Sequence, residues 1–228
     1  MQVEKRYAMA SMMDVRRLIR EHGWAVLVTA AGGTPQAAHV PCLLDRDHDL
    51  GGESEQLVIV GHTTRADPVS GHLTSRREVL LVFQGPNGYV SPAWYGEGAF
   101  IPTWNFTTVH VSGVPELLEG QEAFSVLART VEHFEAARDD PWTLQGSSLE
   151  YAHRIAPGTV PFRLRSATVR AKAKLSQDKP REIQERVVAG LEEPGPYANP
   201  ALASEMRRVL GVTKVGREPT TAGDGTGT

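Results

Sequence analysis

The sequence predicts an α+β protein, a β-barrel with flanking helices. Two observations carry that reading. Apolar, β-branched runs of strand length recur with Gly, Pro and Asp between them, and longer stretches repeat apolar residues at helical spacing. The strand candidates are Trp24–Thr29, Gln36–Leu44, Gln56–Val60, Glu78–Phe83, Thr103–Leu118 and Thr159–Val169. Their lengths, with hairpin connections, suggest closure into a barrel.

Taken in order, Ser11 is placed to cap a first helix on which Met12, Val15, Leu18 and Ile19 share a face, and Gly23 stops it. Trp24–Thr29, a Gly32-Gly33 turn and Gln36–Leu44 form a hairpin, with its second strand broken at Pro41. His39 lies within that strand, equally placed for a cofactor or for a backbone carbonyl. Asp45–Gln56 is polar and glycine-containing and reads as a loop. Gln84 to Phe106 concentrates Tyr89, Trp94, Tyr95, Trp104 and Phe106 among glycines and prolines. Such rings suit a wall for a flat π-system, or a plug for a barrel end. The strand from Thr103 carries His110. Gln121–Ala137 is amphipathic through Phe124, Leu127, Val131 and Phe134, leaving His133 solvated. A helix over Leu149–Ile155 precedes the strand Thr159–Val169, in which Val160, Phe162 and Leu164 alternate with Arg163 and Arg165 and predict half exposure. Another helix follows Pro180. Residues 1–195 are expected to form one cofactor-binding domain with helical additions, and 196–228 a partly disordered extension.

The chain has 228 residues, 40% hydrophobic and 22% charged, which supports a sizeable core. Lys and Arg number 24 against 27 Asp and Glu, for a net charge of -3 and no basic stripe, so nucleic-acid binding gains no support. Cys42 is the only cysteine, which excludes an intramolecular disulfide, a CxxC zinc site and covalent haem attachment through CxxCH. No run approaches the roughly 20 apolar residues of a membrane span, and no leader pattern opens the chain. A cytoplasmic protein without a membrane or nucleic-acid partner is expected.

Chemistry concentrates at Val60-Gly61-His62-Thr63-Thr64-Arg65-Ala66-Asp67-Pro68. An apolar strand leads in, and Asp67-Pro68 opens a helix with its cap and its first-position proline. His62 is thereby expected at the strand end, its ring directed by rigid backbone. The helix N-terminus would favour an anion such as a propionate or phosphate. A histidine that merely ends a strand and bonds a turn is the plainer alternative.

Four stretches occur together: Gly61-His62-x-x-Arg65-Ala66-Asp67-Pro68, Gly85-Pro86-x-x-Tyr89-Val90-Ser91-Pro92, Pro102-Thr103-Trp104-Asn105 and Lys174-Leu175-Ser176-Gln177. In this order and spacing the chain resembles the PaiB-like family, also called FMN-binding negative transcriptional regulators. That family is similar in fold to the flavin-binding split β-barrels of the flavin-reductase and pyridoxamine-phosphate-oxidase type. The resemblance implies a split β-barrel homodimer with the cofactor near the subunit interface. Within the family, Thr103-Trp104-Asn105-Phe106-Thr107-x-Val109-His110-Val111 and Ser148-Leu149-x-Tyr151-x-x-Arg154-Ile155-x-Pro157-Gly158 look most like the piperazate synthases, a branch that holds haem b. Asp67 stands where the wider family more often has Asn, and Ala171-Lys172-Ala173 departs from a glycine-containing approach to Lys174.

The resemblance implies cyclisation of N5-hydroxy-L-ornithine to L-piperazic acid with loss of water. His62 is then the candidate iron ligand, since a neutral imidazole suits iron, with His39 and His110 as rivals. Arg65 is placed for a cofactor propionate or substrate carboxylate, Arg20 is a second candidate for that pocket, and Lys174 is a candidate for proton transfer. Tyr89, Trp94 and Trp104 would wall the macrocycle. The alternative is an FMN-holding flavoprotein or transcriptional regulator.

Overall fold

The computed structural model describes residues 1–30, 33–96 and 98–212. Eight strands form one antiparallel sheet: β1 Trp24–Thr29, β2 Gln36–Leu44, β3 Val58–Thr64, β4 Val79–Val90, β5 Thr103–Gly113, β6 Pro115–Leu117, β7 Thr159–Arg165 and β8 Thr168–Lys174. Their order across the sheet is β6-β7-β3-β2-β1-β4-β5-β8. Six helices flank it: α1 Met12–Glu21, α2 Pro68–Leu73, α3 Gly120–Glu135, α4 Gly146–Ile155, α5 Arg181–Glu192 and α6 Pro200–Leu210. The sheet curls on itself, and the architecture is the expected α+β split barrel.

Alternation of side chains sorts the strands into two faces. Ala25, Leu27, Val40, Cys42, Ile59, Leu81, Phe83, Val109, Val111, Phe162 and Leu164 point into the barrel. Val15, Leu18 and Ile19 of α1 and Val69 and Leu73 of α2 complete this core. Ser11 caps α1 through its hydroxyl, which accepts from the Asp14 amide at 3.1 Å. A second core lies where the β4–β5 arm meets α5 and α6, around Val90, Leu175, Val187, Leu191, Leu202 and Met206. Residues 200–210 therefore form a packed helix within what composition presented as an extension. The last dozen residues, expected to be disordered, and Gly32 of the predicted turn lie outside the described residues.

Several expectations change. Gln84–Val90 is not a loop but the second half of β4, whose pairing with β5 shifts register between Gln84 and Asn87. Gly85-Pro86 sits in that bulge, where a missing N–H costs no ladder bond. Pro41 does not end β2, which runs on to Leu44, but it closes the ladder with β1, and from Cys42 the strand pairs with β3. The apolar face expected of α3 is only partly covered: Val126 packs on the barrel with Leu43, Val60 and Leu118, while Phe134 stays exposed. His133 is not simply solvated, because its Nε2 lies 3.0 Å from the Arg20 carbonyl.

Arg163 departs furthest from its expected exposure. It is 5% exposed and donates to the fully buried Asp45 at 2.8 Å, and it also reaches Glu122 of α3. Arg129, also on α3, donates to Asp45 at 3.1 Å and to Asp47 at 2.6 Å. Asp45 thus fastens β7 and α3 to the end of β2. The loop after it is held by Arg16, which pairs with Asp49 at 2.8 Å and donates to the Gly52, Ser54 and Gln56 carbonyls.

Burial alone would push the Asp45 carboxyl up, but hydrogen bonds from Arg163 and the Asp47 amide, with the Arg163 charge, outweigh it and hold the group below its ordinary range. Its stabilisation is present above the unfolded value of about 3.9 and is lost as the pH falls below that value. Asp45→Ala leaves two guanidinium groups without their shared carboxylate and should cost about 3–5 kcal/mol in urea unfolding at neutral pH. Its stability should also fall less steeply between pH 5 and pH 3 than that of the parent, an interval set by the unfolded carboxyl value of about 3.9.

Candidate functional site

His62 lies within β3, not at its end. Pairing with β7 continues to Thr64, and His62 stands opposite Pro161. Its neighbour Gly61 explains the local geometry. A Cβ there would come within 2.8 Å of Cys42 Sγ and 2.9 Å of the Phe162 ring, so only glycine lets the three strands close up on the inner face. His62 consequently points outward, on the face that also carries Val60. The ring is half-buried. Its Nδ1 is buried with no hydrogen-bond partner among the described residues. Burial pushes the imidazole below its ordinary pKa, so the neutral form, with a lone pair to give, is favoured at neutral pH.

The segment after β3 is organised differently from expectation. Arg65 donates from Nε to the Pro157 carbonyl at 3.0 Å and from Nη2 to the Thr159 carbonyl at 3.2 Å. Its amide donates to the Gly158 carbonyl at 2.8 Å. These bonds brace the start of β7 against β3 beside His62, and they use donors that an anion clamp would need. The start of α2 is also occupied: the Asp67 carboxylate accepts from the Val69 amide at 2.8 Å. A propionate or phosphate there would face that negative charge.

The two rival candidates, His39 and His110, occupy one row of the outer face. Register pairs join His39 to Val26, Val26 to Val82, Val82 to His110 and His110 to Arg170. Three strand spacings, roughly 14 Å, separate His39 from His110, too far for shared ligation. His39 is exposed and stacks on Trp24 with centroids 6.2 Å apart. Burial, then the positive N-terminus and Arg170, push His110 below its ordinary pKa. Trp24 is 61% exposed, and the half-exposed Val26, Val28, Leu80 and Val82 continue an apolar surface around this row.

Arg20 lines a cavity of about 410 Å³ with Arg129, Glu132 and His133. Val60, two residues before His62 on the same face, forms part of its wall. Lys174 lies elsewhere, in a cavity of about 320 Å³ beside Tyr95, Phe100 and Lys179. Trp94 packs its indole over Gly190 of α5, in space that a side chain at 190 would fill, so it serves the second core. Tyr89 contacts Trp104 edge-on at 6.3 Å and Tyr197 at 5.0 Å, and Trp104 remains exposed. No described cavity within the chain brings His62 together with Lys174, Tyr89, Trp94 or Trp104.

Tyr95 stood out in the sequence only as one ring of the aromatic segment, and the contact between two of the four stretches had no direct sequence signal. Asn105 Nδ2 donates to Ser176 Oγ at 2.9 Å, and Lys174 Nζ reaches Thr103 Oγ1. Co-occurrence of the stretches that contain these residues was the available signal. No group of three or more His, Cys, Asp or Glu is placed to hold a bare metal ion, and no helix is long and apolar enough to cross a membrane, among the described residues.

The chain is similar to "Protease synthase and sporulation protein PAI 2" of Bacillus subtilis (strain 168), 28% identical over 78% of this chain and 83% of that protein. Among solved structures it resembles the FAD and haem binding protein from Mycobacterium smegmatis, with TM-score 0.54 and 14% identity over 74% of this chain and 73% of that one. The flavocytochrome Anf3 from Azotobacter vinelandii superposes with TM-score 0.55 and 15% identity, covering 75% and 72%. At these identities the likeness is one of fold. Residues 1–167 match the family described as "Putative FMN-binding domain", and the chain belongs to that family.

Proposed function

We propose that the protein is a haem-dependent cyclase that converts N5-hydroxy-L-ornithine to L-piperazic acid, with His62 as the iron ligand. One observation carries the haem assignment: a half-buried imidazole, directed outward from β3, that burial keeps neutral. A flavin makes no demand for such a group, whereas haem iron does. The substrate assignment rests on the resemblance to the piperazate synthases.

Bound haem would supply a Lewis-acidic iron that weakens the N–O bond of the hydroxylamine. The chain's own contribution begins with His62, whose orientation Gly61 and the β3–β7 pairing fix. Arg65 is a positioning residue that holds β7 in register beside it. In the reaction the bond between the side-chain nitrogen and its hydroxyl oxygen breaks, and a bond from the α-nitrogen to the side-chain nitrogen forms. The α-amine loses one proton, the departing hydroxyl gains one, and water leaves. No external oxidant or reductant is needed. The proton transfer is assigned to solvent.

The functional unit is proposed to be a homodimer. The exposed apolar surface of Trp24, Val26, Val28, Leu80 and Val82 adjoins the His39–His110 row and is larger than an isolated surface residue would leave. A second copy seated on it would shield the cofactor and bring Trp104 and Tyr89 toward it from across the interface.

Flavin binding remains the second reading, and membership of the family favours it. The two separate in one assay. Hemin-loaded protein should convert N5-hydroxy-L-ornithine to piperazic acid, detected by mass spectrometry, and His62→Ala should lower turnover at least 100-fold. Equal turnover by parent and variant, or turnover with FMN and not hemin, would sink the haem reading. Trp24→Glu should shift the protein from dimer to monomer in light scattering and weaken hemin retention. A variant that stays dimeric would remove this face from the interface.

A further inference from the structure

We infer that the cavity between the β4–β5 arm and the turn after β8 is a binding site for a small monocarboxylate with an apolar body. It is separate from the His62 site. The cavity measures about 320 Å³, at the lower end of the range for small-molecule sites. Two of the four stretches singled out in the sequence converge on it, and the segment that follows a third joins them. Thr103 and Asn105 come from one, Lys174 and Ser176 from another, and Tyr95 from the short turn Pro92–Tyr95 that follows the third.

Two donors in this cavity lack the partner their chemistry requires. Tyr95 is 2% exposed and its hydroxyl is buried without a hydrogen bond among the described residues. An unspent buried hydroxyl is costly and points to a group not yet present. Lys174 Nζ donates to Thr103 Oγ1 and to the Trp104 carbonyl at 3.1 Å. Both acceptors are neutral, one ammonium hydrogen is left over, and no described carboxylate lies within ion-pair distance. Burial accordingly pushes its pKa down.

Charge selects the ligand. Among the described lining residues only Lys174, Lys179 and Asp178 are charged, and Lys179 already pairs with Asp178 at 3.0 Å. Those described lining residues carry one more positive charge than negative, which matches one carboxylate better than a phosphate dianion. Phe100, Ile101 and Pro102 also line the cavity and suit a hydrocarbon or aromatic body. Ser176 adopts a left-handed backbone at φ 68° while buried, and its hydroxyl donates to Asn105 Oδ1 at 3.2 Å. Surrounding packing must sustain such a conformation, and non-glycine strain of this kind gathers at ligand sites.

The test uses the full chain without added haem, titrated calorimetrically with benzoate, acetate, the neutral benzamide and inorganic phosphate. Benzoate should bind saturably and more tightly than acetate, with benzamide silent. Lys174→Met should weaken benzoate at least tenfold. Tyr95→Phe, which keeps the ring packing, should weaken it severalfold. Far-UV circular dichroism melts verify that both variants fold. His62→Ala should leave benzoate binding unchanged, so failure of the haem reading does not touch this one. Equal binding of benzoate and benzamide, tighter binding of phosphate, retention of benzoate affinity in folded Lys174→Met, or no saturable binding by either carboxylate would each overturn the assignment.

Discussion

The arrangement of the outer face depends on one close contact inside the barrel. At Gly61 the chain has no side chain, and Cys42 Sγ and the Phe162 ring occupy the space that one would need. That contact draws β2, β3 and β7 together and leaves no freedom in their register, because a slip of one residue would drive a side chain into the core. His62 is the next residue. Its outward direction is therefore settled by packing on the opposite face of the same strand, and no local hydrogen bond is required to hold it. The ring so positioned keeps its Nδ1 buried without a hydrogen bond among the described residues.

A single sheet serves two separate regions. Around β3 it presents His62 beside the surface that α3 covers. At its far end the long strands β4 and β5 continue past the bulge at Gly85-Pro86 and pack on α5 and α6. The bulge lets one strand pair belong to both cores. Ion pairs hold the first region together: Asp45 joins β7 and α3, and Arg16 secures the intervening loop. Hydrophobic packing holds the second, where the Trp94 indole fits over Gly190 and brings the Tyr95 turn against α5.

Much of the fold was legible in the sequence because periodicity reports faces. Val15, Leu18 and Ile19 mark the buried side of α1, and β1 alternates as written. The failures share a physical cause. Glycine and proline signal irregular backbone, but the pattern at Gly85-Pro86 does not say whether the irregularity is a turn or a bulge. Alternation in β7 marks Arg163 as outward, which it is, yet burial there comes from Asp45 more than a hundred residues away and from α3. Of the site, His62 was legible as a residue but not as a strand-interior one. Arg65 looked like an anion clamp because its carbonyl partners at 157 and 159 lie on a distant strand. Tyr95 was legible only as one ring of an aromatic segment, since its buried hydroxyl becomes informative only when the arm and the turn at Ser176 are brought together.

Haem ligation by His62 is the proposal on which the assigned chemistry rests. The most direct measurement is the visible spectrum of the protein during hemin titration, with His62→Ala, His39→Ala and His110→Ala in parallel. Ligation by His62 predicts a saturable Soret band of a histidine-ligated haem in the parent and in the His39 and His110 variants, and its loss in His62→Ala. An unchanged Soret band in His62→Ala, or a flavin spectrum with no specific haem uptake by the parent, would contradict it.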